Sequence, residues 1–140
     1  MEFEIYFEGA KKINAKVGER IIETDQSVQS GGEGIAPEPF TLFLASIGTC
    51  AGIYVKSFCD QRGISSKGIK IIQSHNFNQS TRLIEKISLD IKLPNDFPDK
   101  YKNAVINAAN LCTVKKHFYN PPQINIKTSE VEIITQDCNQ

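Results

Sequence analysis

The sequence predicts an α+β domain with its elements in the order βββ-α-ββ-α-β. Three observations carry this reading. Apolar and polar residues alternate over residues 3–7 and again over 83–93, the period-two pattern of strands with one buried face. An uncharged run of sixteen residues, from Phe40 to Val55, opens a long helix. Tyr101, Ala104, Val105, Ala108, Leu111 and Cys112 recur at i, i+3, i+4, i+7 spacing, one face of a second helix.

Each element has a local cause. Phe3, Ile5 and Phe7 alternate with Glu2, Glu4, Tyr6 and Glu8, and Gly9-Ala10-Lys11-Lys12 turns the chain. Ile13, Ala15 and Val17 alternate again, so the first two strands form a hairpin. Gly18-Glu19 is a second turn, and residues 20–24 are a third short strand. Residues 27–39 are a loop holding Gly31, Gly32, Gly34, Pro37 and Pro39. Pro39 suits the first position of a helix, since its missing N–H has no intrahelical partner there.

The helix runs over residues 40–62, with Gly63 as its stop. Its first four turns are apolar all round, which implies burial on several sides. A chain of this length cannot bury such a helix alone, so a partner chain is expected to cover part of it. Residues 68–77 and 83–93 are strands joined by the polar turn 76–82. In the second, Leu83, Ile87, Leu89, Ile91 and Leu93 share one face. Pro94-Asn95-Asp96-Phe97-Pro98 breaks the strand and opens the second helix, with Asn95 or Asp96 as its cap. That helix ends before Asn120-Pro121-Pro122. Residues 124–134 supply a last strand or two and 135–140 a frayed tail.

A length of 140 residues and the absence of repeats predict one domain over 1–140. Sixteen basic and sixteen acidic residues balance. No basic surplus exists to bind nucleic acid or an anionic membrane surface. The uncharged run is shorter than the ~20 residues that span a bilayer and contains Ser46, Gly48, Thr49 and Gly52, so it reads as a buried helix. Acidic residues stand at the N-terminus where a secretory signal carries base, which places the chain in the cytoplasm with reduced thiols.

The chemistry-bearing residues are the four cysteines. Cys50 lies mid-helix among Gly48, Thr49, Ala51 and Gly52, where small residues let a ligand or another backbone approach. It is either a small core residue or a reactive thiol. Cys112 lies on the apolar stripe of the second helix, with Lys115 and Lys116 three and four positions on. Positive charge at that spacing favours a thiolate, while packing is the plain alternative. Cys59 falls on the opposite helix face from Cys50, ~13.5 Å along the axis, and reads as packing. Cys138 falls in the tail. There is no C-x-x-C or H-x-x-x-H, and His75 and His117 are far apart in sequence, so no metal site is expected. Gly31-Gly32-Glu33-Gly34 lacks the lysine of a phosphate loop.

Gly31-Gly32, then Ala36-Pro37-Glu38-Pro39, then Leu42 to Cys50, then Leu111-Cys112-Thr113-Val114, in that order and within this layout, resemble the OsmC/Ohr family. The resemblance spans nearly the whole chain. It implies an intertwined α+β homodimer with two long central helices, which would supply the partner that the apolar helix requires. It also implies a thiol-dependent peroxidase that reduces an organic hydroperoxide or hydrogen peroxide and is restored by an external dithiol, with no cofactor. Cys50 matches the peroxidatic position and Cys112 the resolving one. The peroxidase branch carries a Glu nine or ten residues before the first cysteine, to orient an arginine onto the thiolate. Thr41 and Phe40 stand there instead, so the chain is more similar to the broader OsmC-like branch. Arg20 is then the best candidate to stabilise the thiolate, and Phe43, Ile47 and Tyr54 are candidates to hold an apolar substrate tail. The alternative is a non-catalytic OsmC-like dimer that binds a small apolar ligand or acts as an accessory stress protein.

Overall fold

We describe the fold from a computed structural model covering residues 1–131. Three strands lead: β1 (Glu4–Phe7), β2 (Ile13–Val17) and β3 (Arg20–Ile22) form an antiparallel sheet in that order. Ile5 faces Ala15, and Ala15 faces Ile22 in turn. The third strand is shorter than expected because Thr24 leaves the ladder. Its N–H donates to Asn14 Oδ1 at 3.1 Å, and its hydroxyl donates to the Ile13 carbonyl.

The loop that follows is closed on a buried carboxylate. Asp25 accepts the N–H of Gln26 at 2.8 Å, of Glu33 at 3.1 Å and of Ile35 at 3.2 Å. Burial pushes its pKa up, but these amides and that of Gly34 outweigh it and hold the carboxyl below its usual range. Gly32 is obligatory here, since a Cβ would come within 2.0 Å of the Gln26 carbonyl oxygen. At the loop's end Glu38 accepts the N–H of Ser27 at 3.1 Å.

Helix α1 (Pro39–Gln61) has proline at its first position, as expected. By length and composition it is apolar enough to cross a membrane, yet Ile47, Ala51, Val55, Phe58 and Cys59 face inward and are buried. Val55, Phe58 and Cys59 form the core with Phe97 and Val105, and Ile64, Ile69, Ile71, Ile91 and Leu93 pack around it. Each large side chain buried there contributes about 1.5–3 kcal/mol. The other side of α1 is left uncovered by the described residues: Phe40 is 55 % exposed and Ile53 66 %.

Strands β4 (Lys70–Asn78) and β5 (Leu83–Lys92) form a separate antiparallel ribbon. Asn76 opposes Lys86 while Phe77 opposes Ile84, so Glu85 is bulged out of register. The extra residue reverses the alternation beyond it. Leu83 is therefore exposed and Ile84 turns inward, against the expectation that Leu83 shares a face with Ile87.

The expected second helix is three pieces. A helical turn at Asp99–Tyr101, N-capped by Pro98 rather than Asn95 or Asp96, leads into α2 (Lys102–Asn110). The chain breaks at Leu111 and Cys112 and resumes as α3 (Thr113–Tyr119). Cys112 has ψ 121°, which is extended, so it caps α3 instead of standing on a continuous helical stripe. From 120 to 131 the chain forms no strand, where one was expected from residue 124. The rest of that expectation, the tail and Cys138 lie outside the described residues. Two antiparallel sheets and three helices make the fold α+β, as predicted.

Candidate functional site

The two cysteines 62 positions apart in sequence meet where α1 faces the break between α2 and α3. Cys50 is half-buried on α1 and Cys112 is buried at the N-terminus of α3. Their side chains lie close enough for each thiol to shift the titration of the other.

The break builds the rest of the site. At the start of a helix the first amides have no carbonyl partner within it. Those of Thr113 and Val114 act on the Cys50 sulfur, and the Lys115 N–H donates to Cys112 Sγ at 3.4 Å. One turn of backbone thus addresses both sulfurs. The Cys112 thiol in turn approaches the Ile47 carbonyl at 3.9 Å.

The electrostatic outcome differs between the two. Burial pushes the Cys50 thiol up, but the Val114 amide, the Cys112 thiol and the Thr113 amide outweigh it, and the net shift is downward. For Cys112 burial dominates. The Lys115 amide opposes it, contact with Cys50 adds to it, and the thiol is raised. Lys115 acts through its backbone, because its ammonium is turned to Asn110 Oδ1 at 2.5 Å. The expectation that lysine charge would activate Cys112 therefore does not hold.

Among the described residues, no charged side chain is among the groups that move Cys50. Arg20 stands exposed at the start of β3, opposite Val17, and is not among the groups that shift the Cys50 thiol. The apolar candidates separate. Tyr54 lines a cavity of about 910 Å³ together with Cys50, Ile53 and Leu111. Ile47 lines a second cavity of about 710 Å³ on the Cys112 side, with Ile87, Leu89 and Phe118. Phe43 joins an aromatic row, 5.5 Å from Phe40 and 5.8 Å from Phe118 between ring centroids.

The small residues around Cys50 admit side chains of β4. A Cβ on Gly48 would come within 2.7 Å of Gln73 Oε1, and one on Gly52 within 3.7 Å of Ile71 Cδ1. Gln73 donates to the Leu44 carbonyl at 2.9 Å and so crosses α1 nearly two turns before the cysteine. Cys59 is fully buried in the core, and burial raises its thiol, in keeping with a packing role. His75 pairs with the Gln73 amide, and His117 lies against the Thr113 carbonyl.

Sequence reasoning missed Thr113 and Val114. The available signal was a β-branched pair directly after a cysteine, a poor continuation for a helix and a good place to restart one.

Comparison with known proteins agrees with the geometry. The sequence matches the OsmC family, described as OsmC-like protein, over residues 31–127. No curated protein matches it. A solved structure from Psychrobacter arcticus 273-4, assigned provisionally to osmotic stress induced and detoxification responses, is similar in fold with TM-score 0.68 and 21 % identity, covering 81 % of this chain and 85 % of that one. The organic hydroperoxide resistance protein OhrB of Bacillus subtilis gives TM-score 0.53 and 17 % identity, covering 86 % and 93 %. An organic hydroperoxide resistance protein OsmC from Legionella pneumophila gives 0.51 and 17 %, covering 84 % and 89 %. With both cysteines meeting on this fold and the sequence matched across most of its length, the chain belongs to the OsmC family.

Proposed function

We propose that the protein is a homodimeric thiol peroxidase that reduces organic hydroperoxides, with Cys50 as nucleophile and Cys112 as resolving thiol. The observation that carries this reading is the juxtaposition, where α1 faces the start of α3, of a thiol of lowered pKa and a second thiol of raised pKa. The first is poised as thiolate and the second as proton-bearing partner. Names borne by similar structures, organic hydroperoxide resistance among them, point the same way.

The Cys50 thiolate attacks the peroxide oxygen, the O–O bond breaks, and the alkoxide takes a proton and leaves as alcohol. Cys50 is then a sulfenic acid. The Cys112 sulfur attacks that sulfur, the S–O bond breaks, and water leaves with the Cys112 proton. An external dithiol reduces the Cys50–Cys112 disulfide to two thiols and becomes a disulfide itself. The apolar wall formed by Ile53, Tyr54 and Leu111 suits a hydroperoxide with a hydrocarbon tail. In this reading the Val114 amide, the Cys112 thiol and the Thr113 amide favour the Cys50 thiolate.

The test is turnover of an organic hydroperoxide with a dithiol, read as alcohol formed. The wild type should turn over, and Cys50→Ser should lose activity altogether. Mild peroxide should give one Cys50–Cys112 linked peptide by mass spectrometry. No turnover with several dithiols, together with saturable binding of a hydrocarbon probe in the Cys50 cavity, would replace this reading by that of a ligand-binding dimer.

A further inference from the structure

We propose that the hydrogen bond between the Tyr54 and Thr113 hydroxyls is a clamp that holds the first turn of α3 against Cys50, making Tyr54 and Thr113 positioning residues for the thiol chemistry. The purpose assigned to the clamp rests on the peroxidase reading above. The clamp itself can be read without turnover.

The need for a clamp follows from the helix. α3 has seven residues, and a helix that short is marginal on its own. It is joined to α2 through the non-helical Cys112, so its first turn can swing. Amide hydrogen bonds weaken steeply once the angle and distance are lost. A small swing would therefore withdraw the Thr113 and Val114 amides from the Cys50 sulfur.

The Tyr54 hydroxyl meets Thr113 Oγ1 at 2.8 Å, across 59 residues of sequence. Tyr54 stands four residues after Cys50, on the same face of α1. The bond thus ties the helix that carries the nucleophile to the residue whose own N–H acts on it. One other tie reaches α1 at this end, the Cys112 thiol approaching the Ile47 carbonyl at 3.9 Å, and the rest lie elsewhere. Lys115 holds α3 to the end of α2 through Asn110, and the Phe43–Phe118 contact closes the far end of α3 against α1. The titratable neighbours of Cys50 are Cys112, from the turn ahead of α3, and Tyr54 on α1. Arg62 lines the same cavity but lies about 18 Å along the axis of α1, its guanidinium stacked over the Phe58 ring at 3.9 Å.

The experiment is the pH dependence of Cys50 alkylation by iodoacetamide in the full chain, each cysteine followed separately by peptide mass spectrometry. Tyr54→Phe and Thr113→Val should each move the Cys50 midpoint up by about half a unit, roughly a three-fold slower reaction at neutral pH. Thr113→Ser keeps the hydroxyl and should keep the wild-type midpoint. The double variant should move no further than either single one, because both remove the same bond. Unchanged midpoints in Tyr54→Phe and Thr113→Val, or equal shifts in Thr113→Ser and Thr113→Val, would overturn the clamp. Should Tyr54→Phe fold poorly, the two Thr113 variants read the same bond from its other end. Shifted midpoints in a protein without peroxidase turnover would sink the peroxidase reading and support the clamp. Full turnover with unshifted midpoints would do the reverse.

Discussion

Cys50 and Cys112 are neighbours that act on each other, yet their thiols are pushed in opposite directions, Cys50 downward and Cys112 upward. The difference lies in which amides each sulfur receives and how deeply each is buried. Backbone amides act on both sulfurs, those of Val114 and Thr113 on Cys50 and those of Lys115 and Val114 on Cys112, but Cys50 is partly exposed whereas Cys112 is sealed.

Thiolate is the charged form, so a lowered pKa means that it appears at lower pH. Alkylation of Cys50 should rise with pH through a midpoint below that of a free thiol. Cys59, raised by burial, should react last among the described cysteines and only on opening of the core. Isotope-coded alkylation between pH 6 and 9 checks the order. Cys59 labelling ahead of Cys50 would contradict it.

Loss of the resolving thiol should leave Cys50 exposed to a second peroxide. The Cys112→Ser variant is expected to accumulate sulfenic and then sulfinic acid on Cys50 and to lose activity over successive cycles. Intact-mass measurement at increasing peroxide reads the added oxygens. A Cys112→Ser protein that stays unmodified and active would show that Cys112 only packs.

Ile53 is 66 % exposed on a helix face that the described residues leave bare, next to the Cys50 cavity. Apolar surface of that kind is characteristically covered by association. Light scattering should give about twice the monomer mass for the wild type. Ile53→Asp should shift the protein toward monomer without unfolding it. A wild type that is monomeric at micromolar concentration would refute the homodimer.

Asp25 carries a pH-dependent part of stability. Its folded pKa lies below the ordinary carboxylate value, so its contribution is complete above that value and is lost as pH falls through the folded one. Asp25→Asn would place an amide NH₂ or a single carbonyl where the carboxylate accepts on both oxygens, leaving a buried amide unpaired. The variant should melt lower at neutral pH and show a flatter acid limb. Identical acid limbs for the two proteins would remove Asp25 from that role.

Strands and helices were legible wherever one face meets the core. The alternation in β5 and the proline that starts α1 are both visible in the sequence. What was not legible depends on single residues whose effect is non-local. One inserted residue at Glu85 turned Leu83 outward. The α2–α3 break at Cys112 lies inside a stripe whose helical rhythm is unbroken, so periodicity cannot reveal it. Cys50 and Cys112 could be named as a pair through family resemblance. The amides that tune them carry no side-chain signature, since a backbone N–H is the same in every residue but proline. Asp25 escaped notice because its partners come from eight and ten residues downstream, in a loop without any period.

The start of α3 has one last consequence. The Lys115 amide donates to Cys112 Sγ and those of Thr113 and Val114 act on the Cys50 sulfur, at the helix start where the first amides have no carbonyl of their own helix. Joining the two sulfurs would remove the thiolate and weaken both acceptors at once. The same three amides would then exchange their hydrogens with solvent faster, while those deeper in α2 would not. Hydrogen–deuterium exchange at one peptide would thus act as a gauge of the oxidation state, a reporter that the backbone carries without any added label.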